Sequence, residues 1–171
     1  MGQSTQSRLL AILANPPLTG GTRTLRRVNQ VAQGLGYAEV DVANLFAIPS
    51  RTTGDIEHLG VEEAGWVAAR PDISDRLTAA TAVLLAYGTT APTGAARNHF
   101  HTQVDWLHHL LAEAELPVWW IGDGPRHPSR WQRWTHRFHP DLVFPAALAC
   151  SVVPATLRPS RAPARFVPRP P

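Results

Sequence analysis

Residues 9–22 (LLAILANPPLTGGT) constrain the fold more than any other part of the chain. The run opens apolar, stops too abruptly for a helix, and ends in Asn15-Pro16-Pro17, which cannot continue a buried ladder of strand hydrogen bonds. A buried strand emptying into a rigid loop is the expected result. From Thr22 the pattern becomes amphipathic: Leu25, Val28, Ala32 and Leu35 share one helical face, and Arg23, Arg26, Arg27 and Gln30 the other. Strand, polar loop and helix make the first unit of an open α/β sheet, whose ligands lie over the carboxyl ends of the strands. Asn15 is expected on that rim.

The same unit recurs. Residues 39–47 (EVDVANLFA) alternate and then turn wholly apolar, residues 82–87 (AVLLAY) are apolar up to Gly88, and residues 117–122 (PVWWIG) form a fourth short run. Trp119 and Trp120 point to opposite faces of that strand, so one belongs under each helix layer. Between the runs lie a Gly34/Gly36 helix stop, a turn-rich loop at 50–60, and a helical segment at 61–70 that Pro71 is expected to break. Asp72 is placed to cap a second short segment. A long helix is expected over 94–115, with Thr93 as its cap. A polar loop over 124–131 then leads to a short helix ending near Arg137. The expectation is a three-layer α/β/α fold with a central, mainly parallel four-stranded sheet.

With 171 residues and 44% hydrophobic content, the chain suits one domain over residues 1–150. Residues 151–171 are rich in proline and arginine and read as an extended strap or tail rather than a packed element. All 16 basic residues are arginine, a bias that reflects a GC-rich genome first and function second. A net charge of +3 permits a phosphate-bearing ligand without marking a nucleic-acid stripe.

Three polar groups fall at strand ends: Asn15-Pro16 after the first strand, Asn44 near the end of the second, and His127-Pro128-Ser129 after the fourth. Each has an ordinary structural reading as a turn initiator, a satisfied core amide or an exposed turn. Their convergence on one rim of a parallel sheet favours a site instead. An amide reads a nucleobase edge with a donor and an acceptor at fixed spacing, and an imidazole can donate to an oxygen gaining negative charge.

The order of NP, VANLFAIPSR, LLAYG and GDGPRHPSRW resembles a bacterial and phage domain family of unknown function whose motifs are LNPSTAD, VVNLFALRATDP, AWG and a GHPxHPLYL-like end. More distantly, the layout is similar to the uracil-DNA glycosylase superfamily. That resemblance implies that Asn15, with Pro16, orients water, that Asn44 holds the base edge, and that His127, with Ser129, stabilises the departing base. Gly88 lies at the third strand's end of the same site. The superfamily's stacking aromatic is missing after Asn15, which leaves Phe46 or Tyr37 for that place. Trp131 stands where Leu or Tyr is usual. Arg23, Arg26 and Arg126 are the candidates for phosphate.

The implied activity is metal-independent hydrolysis of an N-glycosidic bond in a nucleobase-containing small molecule or nucleic acid. The alternative is a non-catalytic nucleotide- or nucleic-acid-binding accessory protein. No cofactor is expected; Gly20-Gly21 before a helix could cradle phosphate through backbone N–H groups with Arg23 and Arg26, but matches neither a Walker nor a Rossmann pattern. The eight histidines lack a carboxylate that would complete a metal-ligand set, and Cys150 alone cannot form an internal disulfide. No signal pattern or membrane-length apolar run is present, so a cytoplasmic location without membrane contact is expected; oligomeric state stays open.

Overall fold

The computed structural model describes residues 7–157. The strands are β1 (Arg8–Leu13), β2 (Glu39–Asn44), β3 (Ala82–Leu85), β4 (Val118–Ile121) and β5 (Val152–Pro154). The helices are α1 (Thr22–Leu35), α2 (Ile56–Leu59), α3 (Ala64–Val67), α4 (Arg70–Ala79), α5 (Gly94–Ala114), α6 (Pro128–Phe138) and α7 (Phe144–Ser151), with a 3-10 turn at Thr53–Asp55 before α2. The sheet order is β2-β1-β3-β4-β5, with the first four strands parallel. The mainly parallel α/β fold expected from the sequence is therefore present.

Alternation along the strands builds two apolar layers. Leu10, Ile12, Val83 and Leu85 face one side, packed with Trp66, Ile73, Leu107 and Leu111. Leu9, Ala11, Leu13, Ala82 and Leu84 face the other, packed with Val28, Val31, Trp131 and Leu148. β1 and β3 are covered on both faces, which is why their sequences are almost continuously apolar. Trp119 and Trp120 divide between the layers as their alternation requires. In α1, Val28, Val31 and Ala32 are buried, whereas Leu25 remains 41% exposed. The edge strand β2 carries Glu39 and Asp41, held by Arg8 and Arg76, and charge on an exposed edge discourages pairing with another chain.

Four features differ from the sequence expectation. Pro71 sits in the first turn of α4 and starts that helix instead of breaking one, because its missing N–H falls where no helical partner exists. Asp72 accordingly lies inside α4 and pairs with Arg76 at 2.7 Å instead of capping. Helix α7 fills a region where the apolar periodicity had faded. The first residues of the strap join the sheet as β5, antiparallel to β4, with Trp119 opposite Pro154 and Trp120 opposite Val153. Proline is tolerated there because β5 is an edge. Among the described residues the sheet thus has five strands, and the arginines of the strap beyond Leu157 lie outside them.

Helix α3 lies directly on the ring of Phe46: a Cβ at Gly65 would overlap Phe46 and reach Ile48 Cδ1 at 3.0 Å. Gly65→Ala is expected to destabilise the protein by about 1–3 kcal/mol through overpacking. Urea denaturation checks this; an unchanged midpoint would show that α3 moves away freely.

Candidate functional site

A cavity of about 730 Å³ opens above the carboxyl ends of β1, β2 and β3. Ala14 and Leu45 contribute the strand ends, Tyr87 and Gly88 the exit of β3, Glu57 the segment before α3, and the loop and helix around His127 the remaining wall. The order 2-1-3 makes β1 and β3 the point where successive connections leave to opposite faces, which opens a crevice between their exit loops. Gly88 adopts φ 107°, a conformation favouring glycine, and its N–H donates to Pro125 O at 2.6 Å. That bond ties the exit of β3 to the loop after β4.

His127 is the N-cap of α6 and lines the cavity. Its Nδ1 accepts from the Ser129 backbone N–H at 3.2 Å, with the Ser129 hydroxyl 2.9 Å from the same nitrogen. An acceptor nitrogen must carry a lone pair, so the ring is neutral and its proton resides on Nε2. Burial lowers the imidazole pKa from its ordinary value, and Arg130 and Arg27 lower it further. The amino end of α6 opposes a positive charge in the same sense. The result is a fixed neutral donor. Trp131 is fully buried beneath this loop and donates through Nε1 to Arg126 O at 2.7 Å.

The other expected residues distribute unevenly. Gly88, Arg126 and Ser129 line the cavity with His127. Asn15 does not. Its amide donates to Ser50 Oγ at 2.6 Å and Ile48 O at 3.2 Å, and Pro16 O accepts from Ser50 N at 3.1 Å, so Asn15-Pro16 clamps the β1 exit to the β2 exit. Asn44 ends β2 opposite Leu13 and is not part of the cavity wall; its Oδ1 is buried without a hydrogen-bond partner. Phe46 is fully buried, its ring 4.6 Å from that of Trp66, and Tyr37 precedes β2 and packs on the α1 layer. Neither ring can stack on a ligand in the cavity. Arg23 and Arg26 are exposed on α1, away from the cavity wall.

Several lining residues carried no sequence signal for a site. Tyr87 and Phe100 meet edge to face at 6.2 Å, and Trp66 meets Phe100 at 6.1 Å, giving the cavity an aromatic floor. Burial raises the Tyr87 pKa, so the phenol stays protonated, with its oxygen 3.3 Å from His108 Nε2. The Thr93 hydroxyl donates to Glu57 instead of capping α5. Arg130, Arg133, Trp134 and Arg137 complete the α6 side. Their common face was readable from spacing once the start of α6 was known; the aromatic floor required the tertiary fold. Among the described residues no group of three or more metal-ligating side chains is gathered, and no helix is long and apolar enough to cross a membrane.

This architecture defines an α/β protein with a cleft at the carboxyl edge of a mainly parallel sheet. Residues 1–129 match the family model described as protein of unknown function (DUF1643), and the chain belongs to that family. No curated protein and no solved structure matches it.

Proposed function

We propose that the protein binds a nucleobase-containing, phosphate-bearing ligand in this cleft and hydrolyses its N-glycosidic bond. The observation that carries the reading is His127 lining a cavity with an aromatic floor, its Nδ1 held by the Ser129 backbone N–H so that the ring's proton is left on Nε2. Hydrolysis forms a bond from water oxygen to the anomeric carbon and breaks the carbon–nitrogen bond, and the electron pair leaves with the base. A donor at Nε2 stabilises that developing negative charge more than it stabilises the substrate, which is the condition for catalysis. Glu57 is the carboxylate on the cavity wall and takes the water proton. Asn15, tied to Ser50 and Ile48, has a clamping role instead.

A specific observation favours a second reading, the non-catalytic accessory protein. Asn15 and Asn44 lie off the cavity wall, so the three-residue constellation implied by the glycosylase resemblance is not assembled around it. Turnover separates the two. Base release from nucleosides, nucleotides and single-stranded DNA should accumulate with time for the enzyme and be lost in Glu57→Gln. Stoichiometric binding without product supports the accessory protein, and failure of every nucleoside, nucleotide and single-stranded DNA to bind at millimolar concentration overturns both.

A further inference from the structure

Four arginines reach the cavity from one wall: Arg126 just before α6, and Arg130, Arg133 and Arg137 along it. Arg126 is already engaged, donating to Asp123 Oδ1 at 2.6 and 3.0 Å and lying over Trp134 at 5.6 Å. Among the described residues, the guanidinium groups of Arg130, Arg133 and Arg137 have no carboxylate partner, although Arg137 approaches the Phe138 ring at 5.8 Å. Positions three and four apart share one helical stripe. The helical rise sets the three about 4.5 and 6 Å apart along the axis.

Cations three and four residues apart on a helix repel, and Arg130 in the first turn of α6 opposes the helix dipole, with no acidic residue in that turn to compensate. The cavity wall holds these four cations against one carboxylate, Glu57. An anion in the cavity removes the repulsion. One phosphate engages one or two guanidinium groups and leaves the rest of the stripe unpaired.

We infer that Arg130, Arg133 and Arg137 bind two or more consecutive phosphates, running along α6 away from His127. Such a run belongs to a nucleoside di- or triphosphate or to the backbone of a nucleic-acid strand. The inference extends the proposed function, with His127 at the base end and the stripe at the phosphate end.

The test is a titration, followed by tryptophan fluorescence or calorimetry, of a nucleoside, its mono- and triphosphate, inorganic tripolyphosphate and a short single-stranded oligonucleotide. Each charge-assisted hydrogen bond to phosphate is expected to be worth about tenfold or more in affinity. The triphosphate should therefore bind at least about a hundredfold more tightly than the nucleoside. The combined variant Arg130→Gln, Arg133→Gln, Arg137→Gln should lose that advantage while binding the nucleoside as the parent does; its thermal melt verifies folding. Arg23→Gln with Arg26→Gln lowers the charge outside the cavity and should leave the titration close to the parent's. Stronger binding of triphosphate than oligonucleotide supports the stripe with a free nucleotide as its source, and the reverse order supports it with a strand. Equal affinity for nucleoside and triphosphate, undiminished tripolyphosphate binding by the combined variant, or an equal loss in the α1 control overturns the stripe. Tripolyphosphate binding that depends on the stripe, with no nucleoside binding, supports the stripe and overturns the base-binding reading alone.

Discussion

His127→Ala is expected to slow the proposed base release by about two to three orders of magnitude, the cost typical of losing a donor aimed at developing negative charge. The substitution also removes the cap of α6, worth about 1 kcal/mol. His127→Asn separates the two effects: asparagine caps a helix well but cannot place a donor where Nε2 stands. It should retain most of the stability while slowing base release as much as His127→Ala does. Base release by His127→Asn at the parent rate would remove the imidazole from the mechanism. Protonation supplies a second check. Because the folded pKa is lowered from 6.5, the unfolded chain binds a proton that the folded one refuses. The contribution of His127 to stability is thus complete above about 6.5 and is lost as pH falls through the lowered folded value. Denaturation curves between pH 7 and 5 should show a smaller acid loss for His127→Asn than for the parent.

Trp131→Ala is expected to remove about 3–5 kcal/mol of folding stability, the range for truncating a fully buried large aromatic. Domains of this size have about 5–15 kcal/mol in total, so the variant should melt far below the parent. Trp131→Phe keeps most of the buried ring but loses the hydrogen bond to Arg126 O, for a cost nearer 1 kcal/mol beyond any packing change. The bond anchors the backbone that carries Arg126 and His127, so the phenylalanine variant should also bind ligand less tightly. Urea denaturation and ligand titration measure both. A loss under 1 kcal/mol in Trp131→Ala would mean that the layer beneath α6 repacks.

The sequence singles out His127, Ser129, Gly88 and Arg126 near strand ends, and all four line one cavity. It placed Asn15 and Asn44 at strand ends too, yet position along a strand does not settle where an amide spends its hydrogen bonds. Asn15 finds Ser50 Oγ across the neighbouring loop, a partner 35 residues away. Phe46 could pass for an exposed aromatic until α3 is brought onto it through the close approach at Gly65.

By itself the sequence determined the parallel strands, the helix layers and the division of Trp119 and Trp120 between them, because these follow from the periods of apolar residues and from local stops such as Gly36. Tertiary structure alone decided the rest. β5 needs the exposed edge of β4 to become a strand, since three residues ending in proline carry no strand signal of their own. The aromatic floor joins Trp66, Tyr87 and Phe100 from three separate segments. The cationic wall becomes a wall only when the start of α6 at Pro128 fixes which side faces the cavity. Periodicity records which side of an element is buried, whereas a site depends on how sides of different elements meet.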